Sequence, residues 1–176
     1  MRLDPLQPRH RDELWAIAQD ERIWTLMRFS AHESRALFDE WYDSVDLGFA
    51  HYFDGELVGH TSFLNVRHDD RVAEIGNTWV VPAAWGTGAN TEAKLLLLRH
   101  AFEDEGLLRV EFKTEARNDR SRAALAKLPA TFEGVFRKHM LVRGGERRDS
   151  AWYAVIDDDW PAVKANLLRR LGRRSS

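Results

Sequence analysis

Between Val72 and Glu115 the chain reads as strand, glycine-bearing loop, helix, strand, and that order admits few folds. Residues 72–81 are strand-like and stop at Pro82, which has no amide to give a ladder. The loop Ala83-Ala84-Trp85-Gly86-Thr87-Gly88-Ala89-Asn90 follows. The helix after it has Thr91 as predicted N-cap, Glu92 in its first turn and Gly106 just past its end. Leu95 to Leu98 are consecutive, so this helix is predicted to be largely buried. Residues 107–115 alternate, with Val110, Phe112 and Thr114 on one face and Arg109, Glu111, Lys113 and Glu115 on the other. Two strands joined through a helix pair in parallel with a right-handed crossover, so the segment is a βαβ unit.

The flanking segments carry different periods. Residues 8–20 place Leu14, Ile17 and Ala18 at helical spacing after Pro8. Ser30-Ala31-His32-Glu33 fits a capping box, with Leu37, Trp41 and Tyr42 as the buried stripe that follows. The first 48 residues are thus expected to be helical. Residues 49–53 and 56–64 flank Asp54-Gly55, a strong two-residue hairpin signal. Beyond the βαβ unit, Asn118 or Asp119 can cap a short helix carrying Ala124, Leu125 and Leu128 and stopped near Pro129. Residues 131–142 and 146–156 read as a hairpin around Gly144-Gly145. A last helix begins near Asp158 to Pro161 and carries Val163, Leu167, Leu168 and Leu171. It runs into an Arg-rich tail at Arg169, Arg170, Arg173 and Arg174, closing with Ser175 and Ser176, where cations suit a helix C-terminus.

A chain of 176 residues fits one domain, 1–176. The absence of Cys rules out disulfides, a Cys zinc site and a thiol nucleophile. Lys+Arg total 26 against 28 Asp+Glu, so the overall basic footprint of a nucleic-acid binder is missing. No apolar run approaches the ~18 residues of a membrane span, and the opening residues lack the apolar stretch of a signal peptide. The expectation is a cytoplasmic protein with no membrane or nucleic-acid partner.

The loop at 83–90 is where chemistry is most legible. Glycines let a backbone approach an anion closely, and the helix that follows aims unpaired N–H groups and a positive dipole end at it. That is a cradle for a diphosphate without a basic side chain. The familiar alternatives are incomplete. Thr91 occupies the last position of a Gly-x-Gly-x-x-Gly fingerprint, and no Lys-Ser or Lys-Thr follows in P-loop register. A Gly-x-Ser-x-Gly elbow and a His-Glu-x-x-His metal motif are absent.

Residues Glu74-Ile75-Gly76-Asn77-Thr78-Trp79-Val80-Val81-Pro82, then Trp85-Gly86-Thr87-Gly88-Ala89-Asn90-Thr91-Glu92-Ala93-Lys94, resemble the acetyl-CoA-binding motif of the GNAT N-acetyltransferases. Asn118-Asp119-Arg120-Ser121 through Lys127-Leu128, then Phe132-Glu133-Gly134 and Arg148-Asp149-Ser150, resemble the branch containing ribosomal-protein N-terminal acetyltransferases. The likeness is close from about 74 to 161. It implies an α/β (α+β) fold with a mixed, splayed sheet of about seven strands flanked by helices. The helical acceptor-side region would span about 1–48 and the acetyl-CoA core about 72–128.

The resemblance further implies that the pantetheine arm of acetyl-CoA lies where the sheet parts and pairs with backbone of Trp79 and Val81. The oxyanion of the reaction would meet the N–H of Val80 or Val81. The amides of Gly86, Thr87, Gly88, Ala89 and Asn90 would hold the diphosphate, and Asn118 and Ser121 would contact the pantetheine and thioester end. Three departures from the family pattern stand out: Ala83 where Gln or Arg usually opens the loop, Pro129 where Gly usually follows Lys127-Leu128, and no Tyr between Tyr52 and Tyr153. The role of acid to the leaving sulfur therefore passes to Ser121 or to water. A homodimer, common in this branch, is carried by the resemblance alone.

Each candidate has a plainer reading beside it. Glu74, placed by alternation on one face with Gly76, Thr78 and Val80, is either the general base or a carboxylate paired with a Lys or Arg. Ser121 is either the acid or a helix-start hydroxyl bonded to local backbone. Met140 stands where the branch can place a Glu base, so His139 beside it is either a substitute or has no part in the chemistry. The other histidines read as solvent or packing residues. Arg137, Lys138, Arg143, Arg147 and Arg148 either attract an acidic acceptor or solvate a ribbon. The expected activity is acetyl transfer from acetyl-CoA directly to a protein N-terminal α-amine or a small-molecule amine, with no metal. The alternatives are a catalytically silent acyl-CoA-binding module and a nucleotide-binding domain.

Overall fold

The computed structural model describes residues 1–172. Seven strands form one sheet in the order β1-β2-β3-β4-β5-β7-β6. They are β1 (Arg2–Pro5), β2 (Leu47–Phe53), β3 (Glu56–Arg67), β4 (Val72–Val80), β5 (Arg109–Glu115), β6 (Thr131–Val142) and β7 (Glu146–Ile156). The helices are α1 (Pro8–Ile17), α2 (Glu21–Trp24), α3 (Arg35–Asp43), α4 (Ala89–Arg99), α5 (Asp119–Lys127) and α6 (Trp160–Gly172). Among the described residues no helix is long and apolar enough to cross a membrane.

The two hairpins form where their turn chemistry places them. Asp54 (φ 51°) and Gly55 (φ 87°) are both left-handed, the backbone of a two-residue turn whose twist matches the strands it joins. Gly144 and Gly145, also at positive φ, turn β6 into β7. The first 48 residues are not wholly helical: β1 pairs antiparallel with β2 from Arg2↔Tyr52 to Pro5↔Phe49. Four residues ending in Pro carry almost no period, and Pro is tolerated there because β1 is an edge.

Ser30 does not cap a helix. Ala31–Glu33 form one 3₁₀ turn, and α3 starts four residues later than the capping box implied, with the Ser34 hydroxyl accepting from Leu37 N–H at 3.2 Å. The shift leaves Leu37 exposed and puts Phe38 in the buried stripe with Trp41 and Tyr42. Likewise α4 begins at Ala89 with Gly88 as its cap, not at Thr91. Leu97 and Leu98 are buried, but Leu95 and Leu96 are only half-buried, so α4 is less enclosed than four leucines suggest. Arg169 and Arg170 occupy the last turn of α6, and the rest of the Arg-rich tail, Arg173 to Ser176, lies outside the described residues.

Among the described residues the two larger hydrophobic cores sandwich the sheet. One joins Leu97, Leu98 and Ala101 with Leu125, Leu128 and Leu167, so α4, α5 and α6 cover one face. The other joins Leu14, Trp24, Phe38 and Trp41 with Trp79, so α1, α2 and α3 cover the opposite face. Ile75 belongs to the first core and Trp79 to the second, although both are odd positions of one strand. A β-bulge explains it. The β3–β4 register runs Ser62↔Gly76 and then His60↔Trp79, so β4 carries one extra residue, and Asn77 sits at φ 52°. Trp41 Nε1 donates to Asn77 Oδ1 at 3.1 Å and the His60 ring meets Asn77 O at 3.0 Å, tying the bulge to the Trp core.

The parallel β4–β5 pairing lasts only three residues, Val72↔Arg109, Ala73↔Val110 and Glu74↔Glu111. Beyond Glu74, β4 keeps its partner β3 as far as Val80, while β5 keeps β7 as far as Glu115↔Ser150. The sheet therefore parts down its middle.

Candidate active site

The parted strands open into a cleft of about 1250 Å³. Of the residues singled out in the sequence, Glu74, Trp79, Val80, Gly86, Thr87, Asn90, Asn118 and Ser121 line it; Val81, Gly88 and Ala89 do not. Val81 N–H donates to Val58 O at 2.8 Å, so its amide faces β3. Main-chain groups alternate sides along a strand, so those of Trp79 face β3 as well and those of Val80 face the gap. The strand-side partner offered to a ligand is Val80, not Trp79 or Val81. Its carbonyl accepts from Trp85 Nε1 at 2.9 Å, which leans the indole over the gap.

The loop that follows is self-braced. Thr87 Oγ1 donates to Ala84 O at 2.7 Å and accepts from Ala89 N–H at 3.2 Å. Gly86 turns at φ 74°, and a Cβ added there would meet open space. A helix start presents N–H groups without intrahelical partners. Here the Ala89 amide is engaged by Thr87, leaving Gly88 and Asn90 at the mouth of α4 beside the exposed Gly86 turn. Across the gap, Asn118 Oδ1 accepts from Ser121 N–H at 3.0 Å and so caps α5. The Ser121 hydroxyl makes no hydrogen bond among the described residues, so the local backbone bond that was its plainer reading is not formed. The Arg120 guanidinium lies 3.7 Å from the Trp85 ring centre, a cation–π contact bridging the two banks.

Glu74 is 1% exposed. Its Oε2 accepts from Lys113 Nζ at 2.8 Å and Asn65 Nδ2 at 2.7 Å. Gly76 shares its face, since a Cβ there would lie 2.8 Å from Glu74 Oε1. Thr78 and Val80 do not share it. The Asn77 bulge reverses the alternation, and Thr78 Oγ1 meets Lys94 Nζ of α4 at 3.2 Å on the opposite side. On the Glu74 side, His139 Nδ1 contacts Ser150 Oγ at 3.0 Å, and its pKa is pulled down by burial, then by Lys113 and Arg148. Met140 lines the cleft as a spectator without acid–base capacity. His10, His51 and His60 are fully buried, as packing residues are, whereas His68 and His100 are exposed.

Of the cleft residues, Lys94 is given no role by the sequence, and Arg148 reads only as one of the cations of the last hairpin. Lys94 is buried, with its Nζ 5.4 Å from the Phe112 ring, and burial pushes its pKa down to about 7. It sits between Thr78 of β4 and Phe112 of β5, under the line where the strands part. The available signal was its place on the apolar stripe of α4, four residues after Asn90 and three and four before Leu97 and Leu98. Arg148 is buried on β7 and also lines the cleft. No group of His, Asp or Glu among the described residues could hold a metal ion.

Lys94 leads to a stability prediction. Its folded-state pKa is below the unfolded value near 10.4, so the unfolded chain binds more protons between about pH 7 and 10. The destabilisation is complete below pH 7 and fades as pH rises through that window. Lys94→Met is expected to raise unfolding free energy by about 1–3 kcal/mol at pH 6, with the gain shrinking toward pH 10. Denaturant melts of both proteins across pH check this; a gain independent of pH would mean packing alone.

The geometry now has relatives to stand beside. Residues 1–131 match the acetyltransferase (GNAT) domain family. The chain is 29% identical over 105 residues to an uncharacterized N-acetyltransferase, YnaD, of Bacillus subtilis (strain 168), an alignment covering 59% of this chain and 59% of that one. It thus spans less than two thirds of that curated relative. A GCN5-related N-acetyltransferase from Brucella melitensis superposes with a TM-score of 0.88 at 32% identity, covering 96% of this chain and 80% of the other. Mycobacterium smegmatis RimJ, solved in complex with CoA-disulfide, superposes with a TM-score of 0.80 at 27% identity, covering 97% and 88%. With a family match over three quarters of its length and the parted mixed sheet, this chain belongs to the GNAT acetyltransferase family.

Proposed function

We propose that the protein transfers the acetyl group of acetyl-CoA directly to an amine, a protein N-terminal α-amine or a small-molecule amine, with both substrates bound together. The observation that carries this is the continuity of the gap beyond Glu74 with the amides at the start of α4. A pantetheine arm can lie along Val80 while its diphosphate meets Gly86, Gly88 and Asn90, the Thr87 amide being taken by Ala84 O at 3.3 Å. Ala89 contributes by completing the Thr87 brace. Asn118 holds the α5 start against the far side of the arm.

The neutral amine attacks the thioester carbon, a C–N bond forms to give a tetrahedral oxyanion, and the C–S bond then breaks. Val80 N–H stabilises the oxyanion between these events. Glu74, oriented by Lys113 and Asn65, takes the amine proton through water, and Ser121 relays a proton from solvent to the departing sulfur, regaining its own as it does so. An α-amine with pKa near 7.8 is roughly one part in seven neutral at pH 7, whereas a lysine is about one part in 2,500 neutral. That difference favours an α-amine acceptor in a site whose base works at one remove.

Thiol release from acetyl-CoA over a panel of amines tests the reading. Amine-dependent release supports it, and CoA binding without such release would assign a silent CoA-binding module. Ser121→Ala is expected to lower kcat by about tenfold to a hundredfold with KM for acetyl-CoA little changed. An unaltered kcat would leave protonation of the sulfur to water.

A further inference from the structure

Arg148 makes one hydrogen bond among the described residues, Nε to Ser150 Oγ at 3.2 Å. A guanidinium has five N–H donors in a planar fork, so most of its donors are uncommitted. No carboxylate of the described residues lies within ion-pair distance of it. The two nearest in charge are taken: Glu74 by Lys113 at 2.8 Å, and Glu115 by Arg143 at 2.9 Å and by Arg117. The field around Arg148 combines Glu115 and Glu74 with the opposing cations Arg143 and Arg28. Arg148 is 7% exposed and stays charged at any ordinary pH. A buried cation without a counter-ion is costly, and an apolar residue of its volume would make a more stable protein. The fork nevertheless lines the same cleft as Glu74, Met27 and Arg28, beside its strand partner Met140.

We propose that the acceptor amine carries a carboxylate, and that Arg148 binds it as a planar, charge-assisted pair. This rests on the acetyl-transfer reading and names its substrate class. The carboxylate supplies the counter-ion Arg148 lacks and fixes the acceptor in the cleft that Glu74 shares. The surplus cations there also repel a second ammonium, so polyamines are selected against. The carboxylate can belong to a free amino acid or to an acidic residue at a peptide N-terminus.

Matched pairs distinguish these sources: glycine against glycinamide, and Glu-Ala-amide against Gln-Ala-amide. In each, kcat/KM for acetylation and the affinity of the acetylated product for the CoA-saturated protein are measured. At least one pair is expected to favour the acid by about tenfold or more, with the preference falling at high salt. Arg148→Met is expected to erase the preference, and Arg148→Lys to keep part of it. Equal values for acid and amide in both pairs overturn the proposal, as does a preference that survives in Arg148→Met. Should Arg148→Met fail to fold, the wild-type ratios decide alone. Protein that binds no CoA defeats the acetyl-transfer reading itself, a different result from CoA binding with indifference to the acceptor's charge.

Discussion

Glu74→Gln is expected to lower kcat/KM for every amine by about 10²–10⁴-fold while CoA affinity stays within a few-fold of wild type. Among the described residues the carboxylate is the one buried acidic side chain that lines the cleft, and it is held by two donors rather than left to rotate. Gln keeps the size and one acceptor but cannot take a proton. It also leaves Lys113 without its charge partner, so a loss of about 1–3 kcal/mol of stability should accompany the change. Stability and rate are separable by assaying well below the melting midpoint. If Glu74→Gln retains its rate while His139→Gln loses it, the base is His139, whose pKa is lowered by burial and then by the neighbouring cations.

Gly86→Val should raise the Kd for CoA by about tenfold to a hundredfold. Two effects act together. At φ 74° a β-branched residue is strained, by about 1–3 kcal/mol. The added side chain also points into open space at the cleft mouth, where the diphosphate is to sit. Because none of the described residues lies within contact of the new Cβ, the fold should survive with a modest fall in Tm. Gly86→Asn separates the causes, since Asn tolerates a left-handed backbone. Weak CoA binding in both variants points to crowding, and recovery in Gly86→Asn points to strain. Calorimetry with CoA reads both; wild-type affinity in a folded Gly86→Val would remove this turn from the cradle.

The features legible in the sequence are those written in local chemistry. Asp54-Gly55 and Gly144-Gly145 mark their turns because few residues accept positive φ. The βαβ unit at 72–115 shows in its change of period from two to helical and back. What escaped depends on partners remote in sequence. Nothing near Asn77 announces a bulge, because Trp41 and His60 hold it from other elements, yet the bulge decides that Glu74 and Thr78 face opposite ways. Ser30 and Ser34 are equally good caps by composition, and packing of Phe38 under Trp15 and Trp41 selects the second. The swap of Trp79 and Val81 for Val80 as the gap-facing residue follows from one β3 hydrogen bond. Lys94 carries no signal of burial, and Arg148 reads as one of five hairpin cations with an acceptor-attracting or a solvating role, until the sheet that buries both is in place.

The crystal structure of the protein with bound CoA tests the central assignment most directly. The diphosphate oxygens should lie about 2.7–3.2 Å from main-chain nitrogens among Gly86, Gly88 and Asn90, with the pantetheine arm running between β4 and β5 past Val80. A diphosphate seated away from the start of α4, or an arm that leaves the gap beyond Glu74 empty, would contradict the account.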